Sequence, residues 1–144
     1  MTDDAIEAAL RTLRPIRRRD VPVEGEWKPP PFADRVVRGR PAAVICEDPG
    51  LSAMVVDRED GRVLHLDPDE RPWFANSSVA HFVDCRRAWQ RAGRAAARAE
   101  EGESDETLEE IEERLRAELA AIDPSAADQD GIWSVLVEEF SYGM

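Results

Sequence analysis

Residues 57–82 read DREDGRVLHLDPDERPWFANSSVAHF, and the two turns and one helix start in this stretch decide the fold. Val63 to Leu66 is a short β-prone run held between Glu59-Asp60-Gly61 and Asp67-Pro68-Asp69. Both are hairpin signals, since Gly, Asp and Pro are the residues that tight turns favour. Val63 and His65 alternate imperfectly with Leu64 and Leu66, as in a strand with one face packed and the other partly covered. Trp73 to Ala75 is the next strand. The period then changes at Asn76-Ser77-Ser78, where a side-chain oxygen can take up an orphan N–H ahead of Val79. Beyond it Val79, Phe82, Val83, Cys85, Trp89, Ala92 and Ala96 share one broad helical face, flanked by Arg86, Arg87, Arg91, Arg94 and Arg98. Gly102 and Ser104-Asp105 interrupt this helix.

Upstream, Ala42 to Cys46 and Leu51 to Val56 are two more strands, separated by the turn Asp48-Pro49-Gly50. Before Pro41 the texture differs. A short helix over Asp3 to Leu13 follows from Ile6, Ala9, Leu10 and Leu13, is capped by Thr2 or Asp3, and is closed by Pro15. Arg14, Arg17, Arg18 and Arg19 then form a basic cluster, and Pro22, Gly25 and Pro29-Pro30-Pro31 read as an extended connector. Downstream, a helix from about Glu106 to Ile122 places Leu108, Ile111, Leu115, Leu119 and Ile122 on one face, and Asp123-Pro124 ends it. Trp133, Leu136, Val137 and Phe140 mark a last short helix. The expected fold class is α+β, a small, mainly antiparallel sheet packed against several helices in one structural domain. Residues 1–40 are its N-terminal helix and Arg/Pro-rich connector, and residues 41–144 its α+β body.

Charge narrows the function. The net charge is −12 over 144 residues, but residues 1–40 carry 9 basic and 7 acidic side chains, residues 41–98 carry 8 and 9, and residues 99–144 carry 2 and 15. A field of that sign repels phosphate backbones and attracts basic protein surfaces, so direct nucleic-acid binding is disfavoured. Acidic helices also serve solubility, and both readings stay open. No run approaches the ~20 apolar residues that span a bilayer. Met1-Thr2-Asp3-Asp4 is acidic where a signal peptide is basic and then apolar, so a cytoplasmic location is expected. Cys46 and Cys85 read as free, packed thiols rather than a disulfide framework.

The stretches that carry chemistry elsewhere are missing. His81 and Cys85 stand one helical turn apart, and Cys46 and His65 lie on strands, but no CxxC or HxxxH anchors a metal site. Ser77-Ser78 starts a helix without a GxSxG elbow, and neither GxxxxGK[ST] nor GxGxxG occurs. Neither a catalytic group nor a cofactor is expected, and the chain reads as a binding protein rather than an enzyme. Of four tryptophans, Trp89 and Trp133 fall on apolar helical faces, Trp27 staples the connector, and Trp73 beside Pro72 suits an interface anchor.

The order Gly61-Arg62-Val63, Leu66-Asp67-Pro68 and Asn76-Ser77-Ser78-Val79-Ala80-His81-Phe82 resembles the SUKH superfamily of bacterial immunity proteins, especially an actinobacterial branch. In that branch a "G-x-V-x-x-L" strand pair leads into "N-S-S-[VL]-x-x-F". Ile122-Asp123-Pro124 ahead of Trp133 is similar to its "I-D-P" before a terminal tryptophan-bearing helix. The resemblance covers roughly residues 40–140, and the Arg/Pro-rich segment 14–40 departs from it, as in a short or divergent form. It implies a SUKH-like α+β domain that binds and neutralises a cognate toxin, commonly a nuclease or nucleic-acid deaminase domain with a basic surface. The alternative is a non-toxin interaction or scaffold module of the same fold. The candidate partner-binding residues are Asp57, Glu59, Asp60, Asp67, Asp69, Glu70 and Trp73.

Overall fold

The computed structural model describes residues 1–11, 25–128 and 131–140. In chain order its elements are α1 (Asp3–Leu10), β1 (Glu26–Trp27), β2 (Asp34–Val37), β3 (Arg40–Asp48), β4 (Ser52–Asp57), β5 (Val63–Leu66), β6 (Pro72–Asn76), α2 (Val79–Glu100), α3 (Leu108–Ile122), α4 (Pro124–Asp128) and α5 (Ile132–Phe140). The strands form one sheet in the order β1-β3-β4-β5-β6, with β2 also paired to β3, and every pairing is antiparallel. The fold is α+β, as the sequence predicts.

The hairpins lie where the turn residues put them. Ala53 pairs with Leu66 and Val56 with Val63 across the β4–β5 turn, and Leu66 pairs with Pro72 across the β5–β6 turn. Side chains alternate across the sheet, so Ala43, Ile45, Met54, Val56, Val63 and Ala75 join the main core with the helices, while Ala42, Val44, Ala53, Val55 and Leu66 form a second apolar cluster. Ile6 and Leu10 of α1, Phe82 of α2, Leu115 of α3 and Trp133 of α5 fill the main core. Trp89 lies edge-on to Phe140 at 5.6 Å and tilted to Trp133 at 6.1 Å, and ring pairs of this kind add about 0.5–1.5 kcal/mol beyond their burial.

Two readings need correction. Residues 26–37, taken from sequence as part of a connector, supply β1 and β2, which both pair with β3. Arg38 at φ +52° and Gly39 at φ +79° make the two-residue turn that joins β2 to β3, the mirror-image turn whose twist suits a hairpin. Secondly, Asp123-Pro124 does end α3, but it also begins α4. The Asp123 N–H donates to Leu119 O at 2.9 Å while its carbonyl accepts from Ala126 N–H at 3.0 Å, and proline at a first helical position gives up no hydrogen bond. The helix expected over Asp3 to Leu13 is described as far as Arg11, with α1 at Asp3–Leu10. The remainder of that expected helix, the basic cluster from Arg14 to Arg19, and Pro22 fall outside the described residues. Trp27 does staple its strand to the body, stacking on Phe82 at 6.1 Å with the Arg86 guanidinium 5.2 Å from its ring.

Candidate partner-binding surface and the network behind it

The most recognisable letters of the sequence converge inside the protein. Asn76 is the last residue of β6 and 0% exposed, and Asp123 caps α3 at 2% exposed. The Asn76 amide nitrogen donates to Asp123 Oδ2 at 3.0 Å and to Cys85 Sγ at 3.3 Å, and its oxygen accepts from the Trp133 indole N–H at 2.7 Å. The Ser77 N–H and hydroxyl donate to Asp123 Oδ2 and Oδ1, both at 2.8 Å. Burial pushes the Asp123 carboxyl up, but the Ser77 and Asn76 hydrogen bonds outweigh it and hold the group below the usual carboxylate range, so it stays ionised. One network therefore ties β6, the start of α2, the α3–α4 junction and α5 together. Gly131 lies so close beneath that a Cβ there would meet Phe74 O at 2.4 Å. Ser78 is the α2 N-cap, accepting from His81 N–H at 3.1 Å.

The two cysteines are held as neutral thiols. Burial pushes the thiols of Cys46 and Cys85 up to about 11, where almost no thiolate exists at neutral pH. Burial also lowers the pKa of His65, against the opposing charge of Asp67. His81 Nδ1 sits 2.7 Å from the Ser78 hydroxyl. Among the described residues no group of three or more His, Cys, Asp or Glu is placed to hold a metal ion.

The seven candidate contact residues divide between the two ends of β5. At the β4–β5 turn, Asp57 is 8% exposed. Its Oδ1 accepts from the N–H of Glu59 at 2.8 Å and of Asp60 at 3.2 Å. Arg40 meets Asp57 at 3.0 Å, Glu59 at 3.1 Å and Asp60 at 3.1 Å, and Arg62 meets Asp60 at 3.2 Å. These three carboxylates are largely neutralised by their own neighbours. Arg58, in the same turn, reaches Asp3 at 2.7 Å and Asp34 at 2.6 Å, holding the start of α1 against the sheet.

The β5–β6 turn is arranged differently. The Asp67 carboxylate is an internal clip: Oδ1 accepts from the N–H of Asp69 and of Arg71, each at 2.9 Å, and Oδ2 from the Trp73 indole at 3.0 Å. The Trp73 bond, ahead of the backbone ones, holds its pKa below the usual range. Glu70 N–H closes the turn onto Asp67 O at 2.9 Å, and Glu70 itself takes φ +61°, a conformation that costs a side-chain-bearing residue about 1–2 kcal/mol. Asp69 and Glu70 are exposed and form no ion pair among the described residues, and Trp73 is 41% exposed. The antiparallel order brings the β3–β4 turn to the same end of the sheet. Asp48 and Leu51 thereby join Asp69 and Glu70 around an open recess of about 290 Å³.

The sequence model of the SUKH-4 immunity protein family matches residues 2–139. The chain belongs to the SUKH-4 immunity protein family. Neither a curated protein nor a solved structure matches it significantly. The SUKH-4 match extends the resemblance read from sequence: it begins at residue 2 rather than near residue 40, so α1, β1 and β2 lie within the matched span. Among the described residues no helix is long and apolar enough to cross a membrane. In this SUKH-4 chain the asparagine-serine and isoleucine-aspartate-proline signatures serve the architecture, because their side chains are spent on one another. Asp48 and Leu51 escaped sequence reading because only the sheet order brings their turn beside the β5–β6 turn.

Proposed function

We propose that this immunity protein acts in the cytoplasm by binding a cognate toxin through the turn end of the sheet, where Asp48, Leu51, Asp69 and Glu70 line the recess and Trp73 is held next to it by Asp67. The toxin class is a nuclease or nucleic-acid deaminase domain, whose substrate demands a basic cleft that an acidic surface can cover. The observation that carries this reading is the concentration, in one recess, of the carboxylates of Asp48, Asp69 and Glu70, which form no ion pair among the described residues, the recess's own Arg35 being paired with Glu47, near an exposed tryptophan. Uncommitted charge steers association with a basic partner, and an aromatic at the centre of a contact provides an anchor. Asp67 contributes by fixing the Trp73 indole rather than by meeting the partner, and Asp57, Glu59 and Asp60 contribute through the turn they build with Arg40.

The test is co-expression of the full chain with the toxin domain encoded in the neighbouring gene, followed by co-purification and growth protection. Asp69→Arg with Glu70→Arg is expected to abolish both without moving the urea midpoint. Trp73→Ala is expected to weaken binding by about 2 kcal/mol or more. No complex and no protection with any adjacent toxin would remove the toxin reading. A protective complex indifferent to all three changes would place the contact elsewhere on the chain.

A further inference from the structure

An acidic chain with a row of arginines set along one helix invites the opposite question, what anion those arginines meet. On α2, Arg91, Arg94 and Arg98 fall at spacings of three and four, one above another on the same face. They stand along a cleft of about 250 Å³ between α2 and α3, whose floor is the small side chains Ala92 and Ala95 together with Ile111 and Leu115. Alanine is what leaves the space: larger residues at these positions would fill the gap between the helices.

Two of the rim arginines are already committed. Arg91 reaches Glu118 of α3 at 2.8 Å, and Arg114 of α3 pairs with Glu106. Arg94 and Arg98, both exposed, form no ion pair within 4 Å among the described residues, and Arg98 only influences Glu106 at longer range. From Arg91 to Arg98 the row runs about 10 Å along the helix, so its charges are spread in a line rather than converging on a point. That layout suits carboxylates repeated at three- and four-residue intervals on another helix, and Arg91 with Glu118 shows the pairing in place between α2 and α3. It suits a nucleic acid less, because a phosphate backbone carries a charge at every nucleotide where this row offers two uncommitted cations, and Glu118 stands in the rim.

We infer that the arginine-rimmed cleft between α2 and α3 docks an acidic helical segment of a partner protein, with Arg94 and Arg98 as the two guanidinium forks that receive its carboxylates. This site shares no residue with the turn-end recess, so it stands or falls independently of the toxin contact. Guanidinium takes a carboxylate through two parallel N–H bonds, which sets orientation as well as charge.

The experiment is fluorescence anisotropy of the full chain with a labelled helical peptide carrying Glu at positions i, i+4 and i+7 over an alanine background. Parallel titrations use the same peptide with Gln at those positions, a single-stranded DNA oligomer, and ATP. Binding of the Glu peptide is expected, weakened by added salt and lost on its Gln replacement. Arg94→Ala with Arg98→Ala is expected to weaken it about tenfold, the loss of two exposed ion pairs, and Arg94→Glu with Arg98→Glu to eliminate it. Both positions are exposed, and alanine favours the helix, so circular dichroism should be unchanged. The inference is overturned if the Glu peptide does not bind, if the alanine pair leaves its affinity intact, or if DNA or ATP binds more tightly than the peptide.

Discussion

Asp123→Ala is the sharpest test of the view that the signature residues hold the fold together. The substitution removes three hydrogen bonds to an ionised carboxylate, from Ser77 N–H and Ser77 hydroxyl at 2.8 Å and from the Asn76 amide at 3.0 Å. It leaves the buried Asn76 nitrogen with only Cys85 Sγ at 3.3 Å. Bonds to a charged group contribute about 1.5–3 kcal/mol each, but the three share one carboxylate whose burial is itself unfavourable, so their simple sum is too large. Breaking a buried charged cluster by removing one partner costs about 3–5 kcal/mol, and because Ser77 is only half-buried the expected loss is about 3 kcal/mol. That is a large share of the ~5–15 kcal/mol by which a domain of this size is stable. Urea unfolding followed by tryptophan fluorescence measures it directly, since Trp133 is bonded to the same Asn76. Asn76→Ala and the double variant complete a cycle, with a coupling of about 1–2 kcal/mol expected.

The same carboxylate sets a pH dependence. Its folded pKa lies below the unfolded value, so between those values the unfolded chain binds the extra proton. The stabilisation is present above about pH 4 and is lost as the pH falls through the lowered folded pKa. Asp123→Ala should therefore flatten the stability profile on the acid side of pH 4. A loss under about 1 kcal/mol, strictly additive single variants, or an unchanged acid limb would each refute the reasoning.

Glu70→Gly should raise the unfolding free energy by up to about 1 kcal/mol, read as a higher urea midpoint, because Glu70 sits at φ +61° and glycine adopts that region without penalty; a lowered midpoint would contradict this. The same change removes a carboxylate from the recess, so toxin binding should weaken while stability rises. Asp67→Ala should free the Trp73 indole, read as a red-shifted and more easily quenched tryptophan signal with the far-ultraviolet circular dichroism preserved; an unmoved signal would mean that the clip does not hold the ring. Gly131→Ala should destabilise by about 2 kcal/mol or more in thermal unfolding, since its new Cβ would meet Phe74 O at 2.4 Å and the start of α5 would have to move; an unchanged midpoint would show that this approach is not tight.

How far the sequence carries the fold depends on where each signal resides. The strands from Arg40 to Asn76 are legible because their turns have local chemistry, Asp48-Pro49-Gly50, Glu59-Asp60-Gly61 and Asp67-Pro68-Asp69, which acts before any tertiary contact forms. β1 and β2 are not legible, because a two-residue and a four-residue strand flanking three prolines acquire their identity only from pairing along β3. α4 hides in a stop signal, since Pro124 both closes one helix and starts another. The candidate site shows the same limit at side-chain level. Asp57 and Asp67 look like surface acids in a linear reading, whereas an Asp standing two residues before a turn amide caps it, as both do here.

Charge counted along a chain differs from charge available to a partner. Residues 99–144 hold most of the acidic excess, yet Glu106, Glu112 and Glu118 are paired with Arg114, Arg116 and Arg91. The first turn of α3 also uses Glu110 in a capping box with Thr107. The turn-end recess contributes far fewer carboxylates, but Asp48, Asp69 and Glu70 form no ion pair among the described residues, and the sheet holds them beside Leu51. Steering at long range follows the net charge, whereas the register of a bound partner follows the groups still free to bond. Under the proposed function, the acidic helices would speed the encounter with a basic surface while three carboxylates and one tryptophan select it. The buried Asn76–Asp123–Trp133 network supports that division of labour from a distance, because it fixes the Asn76 end of β6 to the helices and leaves the Trp73 end of the same strand at the turn.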